Sequence, residues 1–376
     1  MPTESRKSVD AKSRRAFLKT GATTVVAGAA TLAMPNVVRA QEAVTFKFQS
    51  TWPAKDIFHE FAADFVTRVN DMAGGRLKIE LLSAGAVAKA FEVQDAVIAG
   101  TLDGGHGVCA YWYGKHKAYS LFGTPPAWGW RANQMIGWMK YGGGQALYDE
   151  LVQQVLGLNL VGFLTGPMPT QPLGWFKQEI TDAAQLKGMK YRTVGLSADL
   201  FKQMGAAVTI MGGGEIVPAM DRGLLDAAEF NNPSSDKLLG FPDVSKHYML
   251  QSYHQSAECF EIIFNKMKFD ALAPELQAII KYAVESSNTD MSWKAMDRYS
   301  SDLAAIKDAG VEVHRTPDSV LQAQLAAWDA VIAAQSADPF FAKVVESQKA
   351  WAKRVVGTQF ELEVDQKMAF DHFFPA

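Results

Sequence analysis

Arg192 is the residue whose chemistry stands out first. It lies in Lys190-Tyr191-Arg192-Thr193-Val194, a strand-like run. A guanidinium held there offers a planar fork that matches a carboxylate through two parallel hydrogen bonds. An outward-facing arginine on an amphipathic strand fits the same periodicity, and periodicity alone favours it. Glu229 poses a related choice in Ala227-Ala228-Glu229-Phe230-Asn231-Asn232-Pro233. A carboxylate beside an apolar ligand site is costly unless a cation or a donor meets it. Hard cations take carboxylate, amide and backbone carbonyl oxygens. A solvent-facing glutamate at a strand end is the plainer alternative, as is an ordinary loop role for Gln171 between Pro169 and Pro172. Gln255 is a neutral donor and acceptor, with His254 beside it. Tyr111, Trp112 and Tyr113 could cover a small ligand, although clustered aromatics more often belong to a core. Trp52 poses the same choice.

No nucleophile–base–orienter set accompanies these residues. The chain has no G-x-S-x-G, no H-E-x-x-H and no paired catalytic Cys and His. Gly212-Gly213-Gly214 lacks the Lys-Ser/Thr of a phosphate loop and the G-x-G-x-x-G spacing of a dinucleotide site. It reads as a hinge or tight turn. Cys109 and Cys259 have neither C-x-x-C nor metal-ligand spacing. They are expected as buried free thiols, although an oxidising compartment would permit a bridge.

The elements that must position these residues follow from periodicity. Val44–Phe48 alternates like a half-buried strand. Phe58, Phe61, Phe65 and Val69 recur at helical spacing, and Gly74-Gly75 stops that helix. Leu77–Leu81 is a second strand, Glu92–Ala99 a helix ended by Gly100, and His106–Tyr111 a further strand. This β-α-β-α-β order predicts an α/β sheet flanked by helices. An echo links Ala96-x-x-x-Gly100-x-Leu102-Asp103 to Ala219-x-x-x-Gly223-x-Leu225-Asp226. Each copy reads as a helix end, a C′ glycine and a lead-in to a strand, as two lobes of related topology would require. Strands are predicted at Lys190–Val194, Lys246–Ser252 and Cys259–Asn265, with a helix at Ser197–Met204. Long helices follow at Pro274 to about Gly310, Leu325–Ala334 and Pro339–Val356. Phe370, Phe373 and Phe374 leave an aromatic tail suited to packing across lobes or onto a second subunit.

The first forty residues set the expected compartment. Arg14-Arg15-Ala16-Phe17-Leu18-Lys19 precedes an apolar run from Gly21 to Met34, and Val38-Arg39-Ala40 offers a cleavage point before Gln41. These are the parts of an export signal, here of twin-arginine type, and the apolar run is too short to span a bilayer. The full chain carries 37 Lys+Arg and 40 Asp+Glu; residues 1–40 hold seven basic and two acidic residues, which leaves 30 against 38, about −8, for residues 41–376. An acidic surface without a basic cluster excludes nucleic acid and anionic membrane as natural partners.

Three blocks resemble the periplasmic solute-binding proteins of TRAP (tripartite ATP-independent periplasmic) transporters. They are Lys187-Gly188-Met189-Lys190-Tyr191-Arg192, the Ala227–Pro233 block, and Tyr253-His254-Gln255 with Phe260-Glu261-Ile262-Ile263-Phe264-Asn265-Lys266. The similarity runs over nearly all of residues 41–376 and points to the branch that binds α-keto acids through a sodium ion; a related branch binds lactate through calcium. The resemblance implies a two-lobed, periplasmic-binding-protein-like α/β fold with crossing strands, a long lobe-spanning helix and C-terminal helices. Lobe 1 would comprise 41–161 with a return at about 250–290, and lobe 2 would comprise 162–249 with about 291–335. Residues 336–376 would form a helical tail able to support a homodimer. Arg192 would hold the ligand's carboxylate, with Gln171, Phe230, Gln255 and Tyr111 around it. Gln171, Glu229, the Phe230 backbone oxygen and Gln255 would ligate the cation. Phe230 stands where relatives often carry Trp, which keeps the backbone ligand and changes the pocket wall. The implied role is a non-enzymatic periplasmic receptor that passes pyruvate, 2-oxobutyrate or a similar acid to membrane permease subunits. Two other classes share these residues: a secreted metal-dependent enzyme using Glu229 and His254, and the exported binding subunit of a sensor.

Overall fold

The structure, a computed structural model, describes residues 43–375. The expected twin-arginine leader and cleavage point lie outside the described residues. Apolar alternation builds a first sheet from β1 (Val44–Ser50), β2 (Leu77–Leu82), β3 (Gly104–Gly107), β4 (Leu160–Met168) and β10 (Glu258–Asn265), in the order β2-β1-β3-β10-β4. A second sheet holds β5 (Gly174–Phe176), β6 (Lys190–Arg192), β7 (Ala207–Thr209), β8 (Ala227–Ala228), β9 (His247–Leu250) and β11 (Glu312–Arg315), in the order β11-β9-β5-β8-β6-β7. Both sheets mix parallel and antiparallel pairs. The chain changes sheets between Met168 and Gly174 and again between Leu250 and Glu258. A lobe division that followed the sheets would therefore fall after Met168 and not at Gly162, because β4 continues through Gly162 paired to Ile263.

Seven helices matter below: α1 (Ile57–Ala73), α2 (Leu196–Gln203), α3 (Gly213–Asp221), α4 (Pro274–Asp308), α5 (Asp318–Gln335), α6 (Pro339–Leu362) and α7 (Gln366–Phe373). Asp56 caps α1 by accepting from Phe58 N at 3.1 Å. The helix buries Phe58, Phe61, Phe65 and Val69, and full burial of each such side chain contributes roughly 1.5–3 kcal/mol. The 35-residue α4 touches both halves. Val284 O accepts from Thr165 Oγ1 at 3.0 Å on the first-sheet side, and Asp302 Oδ2 accepts from Ser234 Oγ at 2.6 Å on the other. No helix among the described residues is long and apolar enough to cross a membrane.

The internal echo has a structural basis. Gly100 and Gly223 both take left-handed φ values, 78° and 72°, just after a helix. Leu102 and Leu225 are both buried. Asp103 accepts from Lys47 N at the start of the first sheet, and Asp226 accepts from Lys190 N at the start of the second, at 2.5 and 3.0 Å. Each copy thus delivers its chain beside a parallel strand, β3 beside β1 and β8 beside β6.

Two local expectations need correction. The strand expected over His106–Tyr111 ends at Gly107, and Cys109–Trp112 forms a single tight helical turn. Gly212-Gly213-Gly214 is neither hinge nor isolated turn but the opening of α3, where a Cβ on Gly213 would meet the Phe230 ring at 2.4 Å. Cys109 and Cys259 are buried and free, and burial raises both thiols well above their ordinary value.

Gly174 is the tightest backbone contact beside the candidate site. Its φ is 126°, and a Cβ there would stand 2.4 Å from Ala228 O. Gly174→Ala is expected to cost about 3 kcal/mol, combining a Gly-only conformation with a backbone clash. Urea unfolding checks this, and a loss under about 1 kcal/mol would contradict the packing described.

Candidate functional site

Each sheet ends one of its parallel strands at a common cavity. β1 runs into Trp52, which packs on Phe58 and Tyr111 at ring-centroid distances of 4.9 and 5.6 Å. β6 ends in Arg192, and β8 leads into Glu229 and Phe230. The two crossing segments carry Gln171 and Gln255, joined by a backbone hydrogen bond of 3.1 Å. The lining comprises Trp52, Phe58, Val108, Tyr111, Gln171, Arg192, Val194, Phe230, Asn231, Gln255 and Glu258.

Arg192 is 1% exposed. Its Nε and Nη2 donate to Met211 O at 3.0 and 2.8 Å. Its Nη1 donates to Glu229 O at 2.9 Å and to Glu229 Oε1 at 3.1 Å. Of five guanidinium N–H groups, one Nη2 hydrogen lacks a protein acceptor among the described residues. The fork is therefore largely committed, and a bidentate grip on a ligand requires the Nη1–Glu229 contact to yield. The Phe230 ring lies 5.8 Å from the guanidinium carbon.

Six of the residues singled out by sequence line this one cavity: Arg192, Gln171, Phe230, Gln255, Tyr111 and Trp52. Glu229 is not the solvent-facing strand-end residue of the plainer alternative: it lies behind Arg192, 1% exposed and outside the lining. The cause is strand pairing: β8 lies parallel to β6, and Glu229 N donates to Arg192 O at 3.3 Å, which turns its carboxylate toward the guanidinium. His254 is fully buried outside the lining, bonded to Ser252 Oγ at 2.6 Å. Burial pushes its imidazole down to about 3, so it is a neutral packing group. Trp112 donates to Glu261, and Tyr113 donates to Asp199 at 2.6 Å.

Sequence reasoning missed Glu258 and Asn231. Gln171 Nε2 donates to Gln255 Oε1 at 2.5 Å and to Glu258 Oε2 at 2.6 Å, and Asn231 Nδ2 also donates to Glu258 Oε2. The usable signals were an asparagine inside the Ala227–Pro233 block and a charged residue opening β10.

Four buried carboxyls surround this region. Burial raises Glu258 to about 8, with repulsion from Glu229 adding to it, and raises Glu229 to about 7 against the pull of Arg192. Burial also raises Asp56 to about 7 and Asp236 to about 6. Each keeps a proton in the folded chain at pH values where its unfolded counterpart, near 4, has lost it. The resulting stability is fully present below about pH 4 and is lost as pH rises through 6 to 8. The melting temperature of cation-stripped protein is accordingly expected to fall between pH 5 and 8.5. Calorimetry checks this, and a rise over that interval would contradict the protonation pattern.

Gln171 Oε1 is buried without a hydrogen-bond partner among the described residues, and the buried Glu229 carboxylate has Arg192 and the Thr193 hydroxyl beside it. Unsatisfied buried acceptors are costly, and hard cations take such oxygens. The donor set present therefore fits an alkali or alkaline-earth ion.

The chain matches the family described as DctP, bacterial extracellular solute-binding protein, family 7, over residues 48–338. It is 31% identical over 314 residues, 83% of this chain and 85% of the other, to a monocarboxylate 2-oxoacid-binding periplasmic protein of Nostoc sp.. A TRAP periplasmic solute-binding protein from Colwellia psychrerythraea, solved with calcium and pyruvate, is 27% identical with a TM-score of 0.80, covering 88% of this chain and 100% of that one. A TRAP periplasmic solute-binding protein from Pseudoalteromonas atlantica, solved with sodium and pyruvate, is 28% identical with a TM-score of 0.80, covering 88% and 99%. With its two mixed sheets, spanning helix and long C-terminal helices, the chain belongs to the bacterial extracellular solute-binding protein family 7, the periplasmic receptors of TRAP transporters.

Proposed function

We propose that this receptor captures a small 2-oxo monocarboxylate, of the size of pyruvate or 2-oxobutyrate, together with a cation and delivers it to membrane permease subunits. The observation that carries this reading is the burial of Arg192 beside Gln171, whose Oε1 has no hydrogen-bond partner among the described residues, with the Glu229 carboxylate directly behind the guanidinium. Arg192 supplies the positive fork for the ligand's carboxylate. Gln171, Glu229, the Phe230 backbone oxygen and Gln255 are the groups that would hold the cation, which lets a carboxylate and a keto oxygen share one positive centre. Related proteins with pyruvate, one with calcium and one with sodium, support the chemistry and leave either ion open.

The two sheets would act as lobes that close on the ligand, with the crossing segments and α4 as connections. Export by the twin-arginine leader fits the periplasmic family. The tail supports a homodimer: Phe360, Leu362, Met368, Phe370, Phe373 and Phe374 are exposed by 61–77%, and α7 buries none of its own residues. Exposed apolar surface of that kind marks an interaction face. In this reading the ligand is bound and released unchanged, as in a receptor of this family. Incubation of ligand-stripped protein with pyruvate and 2-oxobutyrate tests this: stoichiometric binding with intact recovery is expected. Turnover would make the protein an enzyme, and lack of binding to either acid would remove the ligand assignment.

A further inference from the structure

At the opposite end of the second sheet, two edge-proximal strands bring together groups that the ligand cavity does not use. His247 opens β9, and Glu312 and His314 lie on the neighbouring parallel strand β11, with Glu312 paired to His247 in the register. His247 Nδ1 and His314 Nε2 face each other at 3.2 Å. Glu312 Oε2 stands 3.7 Å from the first nitrogen and 3.9 Å from the second. All three ligand atoms fall within 4.8 Å of one another. Tetrahedral zinc with metal–ligand distances of about 2.0–2.1 Å sets its ligand atoms roughly 3.3 Å apart. The observed triangle therefore needs only a few tenths of an ångström of closure.

The second observation is independent of that triangle. His314 Nδ1, the nitrogen facing away from it, lies 3.4 Å from Glu179 Oε1. A carboxylate on the far nitrogen holds the proton there, leaves Nε2 as a lone-pair donor and fixes the ring's orientation, as in carboxylate–histidine–zinc arrangements. The two imidazoles are largely buried, 22% and 16% exposed, whereas Glu312 is 65% exposed. A cation seated there keeps one side open to solvent.

We propose that His247, His314 and Glu312, oriented by Glu179, form a second metal site for a borderline divalent transition cation of the zinc class, with water in the fourth position. Two imidazoles and one carboxylate suit zinc, copper or nickel and poorly suit the hard ions of the ligand cavity. The location separates the sites: His247 pairs with Phe176 at the far end of β5, whereas Met249 pairs with Gly174 at the end next to Gln171. Because the ligands come from β9 and β11, the ion would tie the edge strand to its neighbour and stabilise the folded state by mass action.

The probe is zinc chloride titrated calorimetrically into chelator-treated protein held in excess calcium and pyruvate. One zinc per chain is expected for the wild type. His247→Ala/His314→Ala should lose that uptake while retaining wild-type pyruvate affinity, and Glu179→Gln should weaken zinc by about 10–100-fold. X-ray absorption on the zinc-loaded wild type should show two imidazole nitrogens at about 2.0–2.1 Å. Zinc uptake equal in wild type and double variant, absence of uptake by the wild type, or an all-oxygen shell would each overturn the proposal.

Discussion

Arg192→Ala is expected to lower affinity for a 2-oxo acid by at least about a hundredfold. The guanidinium is 1% exposed and is the only cation lining the cavity among the described residues. Truncating one partner of a buried, hydrogen-bonded charge pair costs about 2–5 kcal/mol, and each 1.4 kcal/mol is tenfold. Arg192→Lys should recover little. A single ammonium cannot hold Met211 O with two nitrogens and Glu229 with the third while still meeting a carboxylate. Fold damage is separable from ligand loss. Glu229 has its carboxyl raised to about 7, so it can take up a proton when its partner is removed. Titration calorimetry at constant cation, alongside a melting curve, reads both effects. Near-normal affinity in a folded Arg192→Ala protein would remove the arginine from ligand recognition.

Glu229→Gln is expected to produce the second large effect, a loss of about a hundredfold in ligand affinity even in saturating calcium. Two roles meet at this carboxylate. Its Oε1 pairs with Arg192, and the carboxylate is buried with only the Thr193 hydroxyl as a further side-chain donor among the described residues. A cation that takes Glu229 would also release Arg192 Nη1 for the ligand, so cation and keto acid should bind with positive coupling. Such coupling is reciprocal by thermodynamic necessity. The isosteric amide keeps shape and hydrogen bonds but removes the charge a hard ion needs. Stability should also fall, because the neutral amide leaves the buried Arg192 guanidinium without its counter-charge, so a melting curve run beside the titration separates fold loss from cation loss. Titrations of the variant should therefore show weak binding that no longer responds to the cation. Retained cation dependence would move the ion away from Glu229.

The architecture was legible in the sequence where side chains follow one period. The Phe58-Phe61-Phe65-Val69 stripe became α1, and the Gly-x-Leu-Asp echo became two matching strand starts. Arg192 was legible as a cavity residue only through the family blocks, since its strand is three residues long and too short for alternation to decide a face. The misses have physical causes. β10 is buried along all eight residues, so no polar alternation marks Glu258 or Glu261 as inward-facing. Its register with β4 also shifts between Cys259 and Phe260, opposite Gly166, and such bulges re-aim side chains next to functional sites. His106–Tyr111 looked like a strand because its residues are apolar, yet the backbone turns after Gly107 to place Tyr111 over the cavity. Glu229 was legible by type but not by direction, because its orientation depends on pairing between β6 and β8.

The coupling of cation and keto acid is the centre of this account. Pyruvate titrated calorimetrically into fully stripped protein, in potassium alone and then with sodium or calcium added, tests it most directly. Binding is expected to be weak in potassium and to tighten by at least tenfold with sodium or calcium. Equal affinity in all three salts would contradict the cation-bridged site and leave Arg192 as the sole electrostatic anchor.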